Sequence, residues 1–252
     1  MSKPAKFYLK QMSEKTAYRA TWDPGKPLRL GQIGKLDSFG VFSVYSNLEK
    51  EGIPMEVEEG TFGDMDYTSS DSVTITTKLS GSVPAAGSVF SDADAGFSFD
   101  FKSDESIVFQ AGEVKTSHIT NLGAIEQQIL DKYRANNWDK DWLIISALIT
   151  AGSATIIISN SSNVKLDLKA KAGVAAGSLK LTDASLGLTV AREQGSTLKY
   201  ISQNGLTPLY RVVGIIAPWL SHTYLGPRAL VKENEEIKLS VQPFNDRELP
   251  KD

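Results

Sequence analysis

Cysteine is absent from the 252 residues. That excludes disulfides, thiol nucleophiles, thiolate zinc sites and iron–sulfur clusters, and it leaves the redox compartment open. Histidine is scarce: His118 and His222 are the only two, too few for a histidine-based metal site. An excess of positive charge is lacking as well. The 27 Lys+Arg against 30 Asp+Glu leave a net charge of -3, whereas a nucleic-acid binder needs a basic footprint to displace counterions from phosphates. Signatures of catalysis are missing too. There is no G-x-S-x-G elbow, Walker loop, H-E-x-x-H helix or G-x-G-x-x-G turn, and Gly31 to Lys35 (GQIGK) is too short to cradle phosphates. The opening MSKPAKFYLKQMSEK has neither the long apolar core nor the small-residue cleavage site of a secretory signal. A cytoplasmic, non-enzymatic protein without cofactor, metal or nucleic-acid partner is therefore expected.

What is present is globular in balance, at 41% hydrophobic and 23% charged, enough to bury one sizeable core. Trp142 to Val164 carries no charged residue over 23 positions, which on length alone suits a membrane-spanning helix. Its composition argues otherwise. Gly152-Ser153 interrupts it, Ser159-Asn160-Ser161-Ser162-Asn163 ends it, and isoleucine dominates the apolar part. Two buried strands joined by a turn fit better.

Residues 1 to 20 place Lys3, Lys6, Lys10, Lys15 and Arg19 among Phe7, Tyr8, Leu9 and Met12, with Glu14 the one acid. The pattern predicts a basic amphipathic helix, either solvated with its apolar face on the core or lying at a lipid surface. Trp22 to Gly25 reads as a turn, and Leu28 to Gly34 and Gly40 to Phe42 as short strands. Between Asn47 and Asp71 eight acids face only Lys50, in no metal-loop spacing, so an acidic solvated loop is expected. An amphipathic helix is predicted from Ser117 to Ala135, carrying Ile119, Leu122, Ile125, Ile129 and Tyr133 on one stripe, with Trp138 and Trp142 at its exit. Ser117-His118 reads as a helix start, and Asp92-Ala93-Asp94 as a turn. A strand is expected from Leu209 to Ile216. The remainder, from about Ser221, reads as a tail with one short strand over 237 to 241.

The clearest signal is alternation. Val73, Ile75, Thr77, Leu79 and Val83 alternate with Thr74, Thr76, Lys78, Ser80 and Ser82; Ala95, Phe97, Phe99 and Phe101 alternate with Gly96, Ser98, Asp100 and Lys102. The same holds for Val164, Leu166, Leu168 and Ala170 against Lys165, Asp167, Lys169 and Lys171, and for Leu186, Leu188 and Val190 against Ser185, Gly187 and Thr189. Period two means strands with one apolar and one polar face. Small-residue connections make them two long hairpins, either a sheet with one wet side or strands able to face lipid on one side and a lumen on the other.

Basic helix, long hairpin, amphipathic helix, aromatic-flanked apolar strand pair, second long hairpin and closing strand form an order that resembles the pore-forming domain of the gasdermins, the short bacterial members above all. The segments carrying the resemblance are SVTITTKLSGSVPAAGSVF with FSFDFK, ILDKYRANNWDKDWLIISALITAGSATIIIS, and GLTPLYRVVGI, across about residues 70 to 216. The resemblance implies an α+β fold, with a central twisted, mainly antiparallel sheet, two long hairpins and peripheral helices. It implies a pore-forming domain over 1–220 and a tail over 221–252 that holds it inactive until a partner protease removes it. The released domain would bind inner-membrane lipids through Lys3, Lys6 and Lys10, form a homo-oligomer and insert both hairpins as a β-barrel, killing the cell in defence against phage. Val73, Ile75, Leu79, Phe97, Phe99, Val164, Leu166, Leu168, Leu186 and Leu188 would face lipid. The acylated cysteine that bacterial gasdermins often carry near the start has no counterpart here. A protein-binding or scaffold module with a half-exposed sheet, and a hydrolase with dispersed residues, are the rival readings.

Overall fold

A computed structural model describes residues 3–22, 27–37, 40–69, 71–173, 179–202, 205–216 and 237–245. Its elements are α1 (Lys3–Thr16), β1 (Arg19–Ala20), β2 (Gln32–Leu36), β3 (Phe42–Asn47), β4 (Val57–Glu59), β5 (Gly63–Thr68), β6 (Val73–Lys78), β7 (Gly96–Phe101) and β8 (Ile107–Ile119). There follow α2 (Leu122–Arg134), β9 (Leu143–Ala151), β10 (Ser153–Ser159), β11 (Val164–Lys169), β12 (Thr189–Gln194), β13 (Thr197–Ser202), β14 (Leu206–Ile216) and β15 (Lys238–Val241). His222 lies outside the described residues, as do Asp23 to Gly25 of the expected turn.

The strands make two antiparallel sheets, one of eleven strands and one of four. In the larger, β9 and β10 do not fold back on each other. A single antiparallel register runs β8 along both, with His118 opposite Ala147, Lys115 opposite Thr150, Ala111 opposite Ala154 and Ile107 opposite Ile158. Residues 143–159 are therefore one long line of strand, not the strand pair joined by a turn that Gly152-Ser153 suggested. Opposite Gly152 the ladder breaks at Glu113, whose φ of 53° is left-handed; the Glu113 carboxylate occupies the space that a side chain at 152 would need. A glycine placed to make room for its partner strand reads in sequence like a glycine placed for a turn.

β8 carries no clean period, and so escapes a sequence reading. Ile107, Val108 and Phe109 are all buried, because this stretch is covered on both faces and alternation has nothing to record. Ile107 and Phe109 join Tyr8, Leu9 and Met12 of α1 in one core, together with Ile156 and Ile158 of β10. Val108 and Ile157 point the other way, into a core shared with the four-stranded sheet. The central sheet thus lies between α1 on one face and the smaller sheet on the other. α2 buries Ile125 and Ile129 against Ile33, Ile119, Ile144 and Val213, and Trp138 and Trp142 meet edge-on, ring centroids 5.1 Å apart.

Several boundaries differ from the sequence expectation. The acidic segment 47–71 contains β4 and β5, which pair with β8. Ser117, His118 and Ile119 belong to β8 rather than to a helix, and α2 begins only at Leu122. Facing β4 there, with Glu59 opposite Ser117, they satisfy their backbone in a ladder, which outweighs the helical stripe.

Candidate functional site: the hairpin sheet and the tail strand

The four-stranded sheet holds both two-faced segments side by side, in the order β12-β11-β7-β6. It is a second sheet, separate from the central one. Its ladder is short. Six residues form each strand, and the described residues between partners, 79–95, 170–173 and 179–188, lie outside these strands.

Cross-strand register puts the apolar face together row by row: Val73, Phe101 and Val164 in one row, Ile75, Phe99 and Leu166 in the next, then Phe97 with Leu168. Phe99 and Phe101 stack with centroids 6.1 Å apart. This face is pressed on Val108 and Ile157 of the central sheet, and Leu166 and Leu168 are wholly buried. Seven of the ten residues expected to face lipid are therefore strand positions on the inner face of the sheet, in a packed core. The other three are not on strands. Leu79 lies just past the end of β6 and is 38% exposed. Leu186 sits in a 3-10 turn, Ala184–Leu186, and Leu188 precedes β12, yet both pack into the same core.

The expected strand over 184–190 is displaced to Thr189–Gln194, because the connection before it is pinned to the central sheet instead of pairing. Ser153 Oγ donates to the Thr182 carbonyl at 2.5 Å and Thr155 Oγ1 to that of Leu181 at 2.9 Å. Asp183, held below the usual carboxylate range by hydrogen bonds from Ser185, shapes the turn that follows.

The opposite face of the sheet is polar, as the alternation requires, but it is not simply wet. Asp167 is 2% exposed. Its two oxygens accept from Ser98 Oγ at 2.5 Å and from Arg192 Nε at 2.6 Å. Lys78 is buried as well, its ammonium donating to the carbonyls of Leu79, Asp92 and Asp94. Buried charges persist only when their hydrogen-bonding groups are used, and those of Asp167 and Lys78 are. The 79–95 connection lies over this face: Phe90 closes on Gly96, where a side chain would have no room.

Asp92-Ala93-Asp94 does form a turn, with the Asp94 amide donating to the Ser91 carbonyl. Asp94 also pairs with Lys169 at 2.5 Å. Among the described residues no group of three His, Cys, Asp or Glu is placed to hold a metal ion, and His118 Nε2 lies 3.8 Å from Glu58 Oε2 across the β4–β8 ladder.

α1 buries Ala5, Tyr8, Leu9 and Met12 and leaves Lys10 exposed and Lys6 half-buried; the Lys3 side chain lies outside the described residues. No described helix is long and apolar enough to cross a membrane, which says nothing of a β-barrel.

One short strand within the tail, expected over 237–241, is β15. It pairs with β14, Val241 opposite Val213 and Lys238 opposite Ile216, on the edge that β1 also occupies. The buried Arg19 ties the two: its guanidinium donates to the carbonyls of Gln242, at 3.2 Å, and Pro243, at 2.6 Å. Glu126 of α2 accepts from the Leu239 amide at 2.6 Å. No local signal could have found Arg19 or Glu126, since their partners lie over a hundred residues away.

No family model and no curated protein matches the chain. Among solved structures it is similar to the gasdermin A3 membrane pore determined by cryo-EM, at 8% identity and a TM-score of 0.32, over 84% of this chain and 90% of that one. It is also similar to a bacterial gasdermin from Bradyrhizobium tropiciagri, at 13% identity and a TM-score of 0.37, over 83% of this chain and 86% of that one.

Proposed function

We propose that this chain is a gasdermin-like, non-enzymatic pore-forming protein, held inactive in a soluble form until its tail is removed. The observation that carries the reading is the four-stranded sheet. It gathers two separate two-faced segments into one amphipathic unit, with its apolar face stored against the central sheet. Six-residue strands span roughly 20 Å, short of the ~30 Å hydrocarbon core, so insertion requires them to lengthen into 79–95 and 170–188. The first of these connections carries the means: Leu79, Val83 and Val89 are apolar and exposed.

In this reading the tail, bound through β15, Arg19 and Glu126, is the inhibitory element and a partner protease is the trigger. The freed domain oligomerises and permeabilises the inner membrane as a defence against phage. Lys3, Lys6 and Lys10 contribute attraction to anionic lipid, on the order of 1 kcal/mol each. Changing all three to glutamate weakens low-salt binding of the activated form to anionic vesicles; unchanged binding would make α1 purely structural.

The deciding experiment is dye release from liposomes. The full chain should be silent, and a truncation ending near Arg228, which removes β15, should release dye. Failure of every truncation within the tail to permeabilise vesicles would sink the pore reading in favour of a protein-binding module.

A further inference from the structure

The two hairpins are tied to each other by more than their shared ladder. Two cations of the second hairpin reach across the polar face of the small sheet to the connection of the first, one to a carboxylate and one to a backbone carbonyl. From β11, Lys169 Nζ reaches Asp94 Oδ1 at 2.5 Å. From β12, Arg192 donates through Nη1 to the Gly87 carbonyl at 3.3 Å, while its Nε is fixed by the buried Asp167. Asp167 is in turn oriented from β7 by Ser98. Arg192 thus spans two places at once, gripping the sheet with one edge of its fork and the 79–95 connection with another, a use that suits a planar, multi-donor cation.

The connection itself is folded to receive them. Gly81 N donates to the Asp92 carbonyl at 2.7 Å, Ser80 Oγ to that of Ala93 at 3.1 Å, and Ser91 N to Asp94 Oδ2 at 2.8 Å. Segment 79–95 is therefore a small closed loop, strapped down at Gly87 and at Asp94.

We infer that Lys169 and Arg192 form a clasp between the hairpins, so that the first connection cannot lift from the sheet until the second hairpin lets go. Release of the two hairpins is then one joint event instead of two independent ones. The clasp is a property of the soluble fold and is tested there. Its effect on insertion rests on the pore-forming reading, which dye release tests separately.

The test is hydrogen–deuterium exchange on the full chain, read by mass spectrometry. Lys169→Met removes the Asp94 contact at a partly exposed position and should not endanger folding. Arg192→Met alone would leave the Asp167 carboxylate buried without its cation, so it is made together with Asp167→Asn. Lys165→Met, an exposed lysine on the same face of β11, is the control. Each clasp variant should speed exchange across 79–95 roughly fivefold, as the loss of one modest ionic tether would. Exchange over 189–194 should rise with it, and 107–119 and 143–159 should stay as protected as before. An unchanged rate over 79–95 in Lys169→Met, or a rise no larger than that in Lys165→Met, overturns the clasp. A rise over 79–95 with 189–194 unmoved overturns the joint release.

Discussion

Lys169 and Asp94 meet at 2.5 Å although they belong to different hairpins. The Asp94 carboxyl is pulled from an ordinary value of 3.8 to about 2, first by the hydrogen bond from Lys169 and then by those from Ser91. A carboxyl whose folded value is depressed favours the folded arrangement above its ordinary value, and that contribution drains away as pH falls towards the folded one. Pepsin nicking within 79–95 should therefore rise between about pH 4 and pH 2. In Asp94→Asn it should already be high at pH 4, and the difference between the two proteins should vanish by pH 2. A difference that persists unchanged across that window would contradict the assignment.

Leu79 and Leu168 separate insertion from folding. Leu168→Arg places a charge in the core between the sheets, which costs several kcal/mol, and should unfold or insolubilise the chain. Leu79→Arg falls at an exposed position and should leave Tm within about 2 °C of the parent, since surface changes rarely exceed ~0.5 kcal/mol. On the activated form the same arginine costs ~2–4 kcal/mol at mid-membrane in every copy, and dye release should fall to background. Thr76→Arg, on the opposite face of β6, should leave release intact. Equal tolerance at both positions would mean these strands never meet lipid.

Among the described residues Arg19 donates to the tail at two carbonyls, those of Gln242 and Pro243. Arg19→Ala should expose 237–245 to limited proteolysis and lower stability by ~2–3 kcal/mol, the scale of lost hydrogen bonds to a buried charged group. If the tail is inhibitory, the uncut variant should also leak dye. Protease resistance equal to that of the parent would show that the β14–β15 ladder suffices.

Tyr8 offers a test of stability alone. Its ring is buried and its hydroxyl has no hydrogen-bond partner among the described residues; burial pushes the phenol pKa up. Tyr8→Phe deletes a desolvated group that gives nothing back, so stability should rise by ~1 kcal/mol, or about 2–4 °C in Tm for a chain of this size. A fall in Tm would show that the hydroxyl has a partner after all.

Sequence reading succeeds here where one face of a segment differs from the other. β6, β7 and β11 were legible because a half-covered strand must alternate, and α1 and α2 because a packed helix repeats every three to four residues. It fails where that asymmetry is missing. β8 is covered on both faces at its start and its long partner reads as uniformly apolar, so neither showed its pairing. Thr189–Gln194 escapes the alternation because a bulge beside Asp167 places Val190 and Glu193, three residues apart, opposite Leu168 and Leu166 on one face, which breaks the period of two. Of the candidate site, the apolar face was readable, but the polar tethers were not. Asp167 looks like any solvent-facing acid until the fold lays Gly87 and Arg192 over it.

The shared edge of β14 also sets an order of assembly. Arg19 is made early, and its acceptors lie at residues 242 and 243. At ~5–20 residues per second, the ribosome needs about 11–45 s to span that interval. During that time the guanidinium must stay hydrated, and from the moment Ile216 is made until Lys238 follows, the part of the β14 edge that β15 covers, Val213 to Ile216, stands open. An uncovered edge is a template for pairing with any neighbouring chain. The nascent protein is thus most vulnerable to aggregation just before β15 emerges, and a transcript truncated upstream of Lys238 would hold it permanently at that stage.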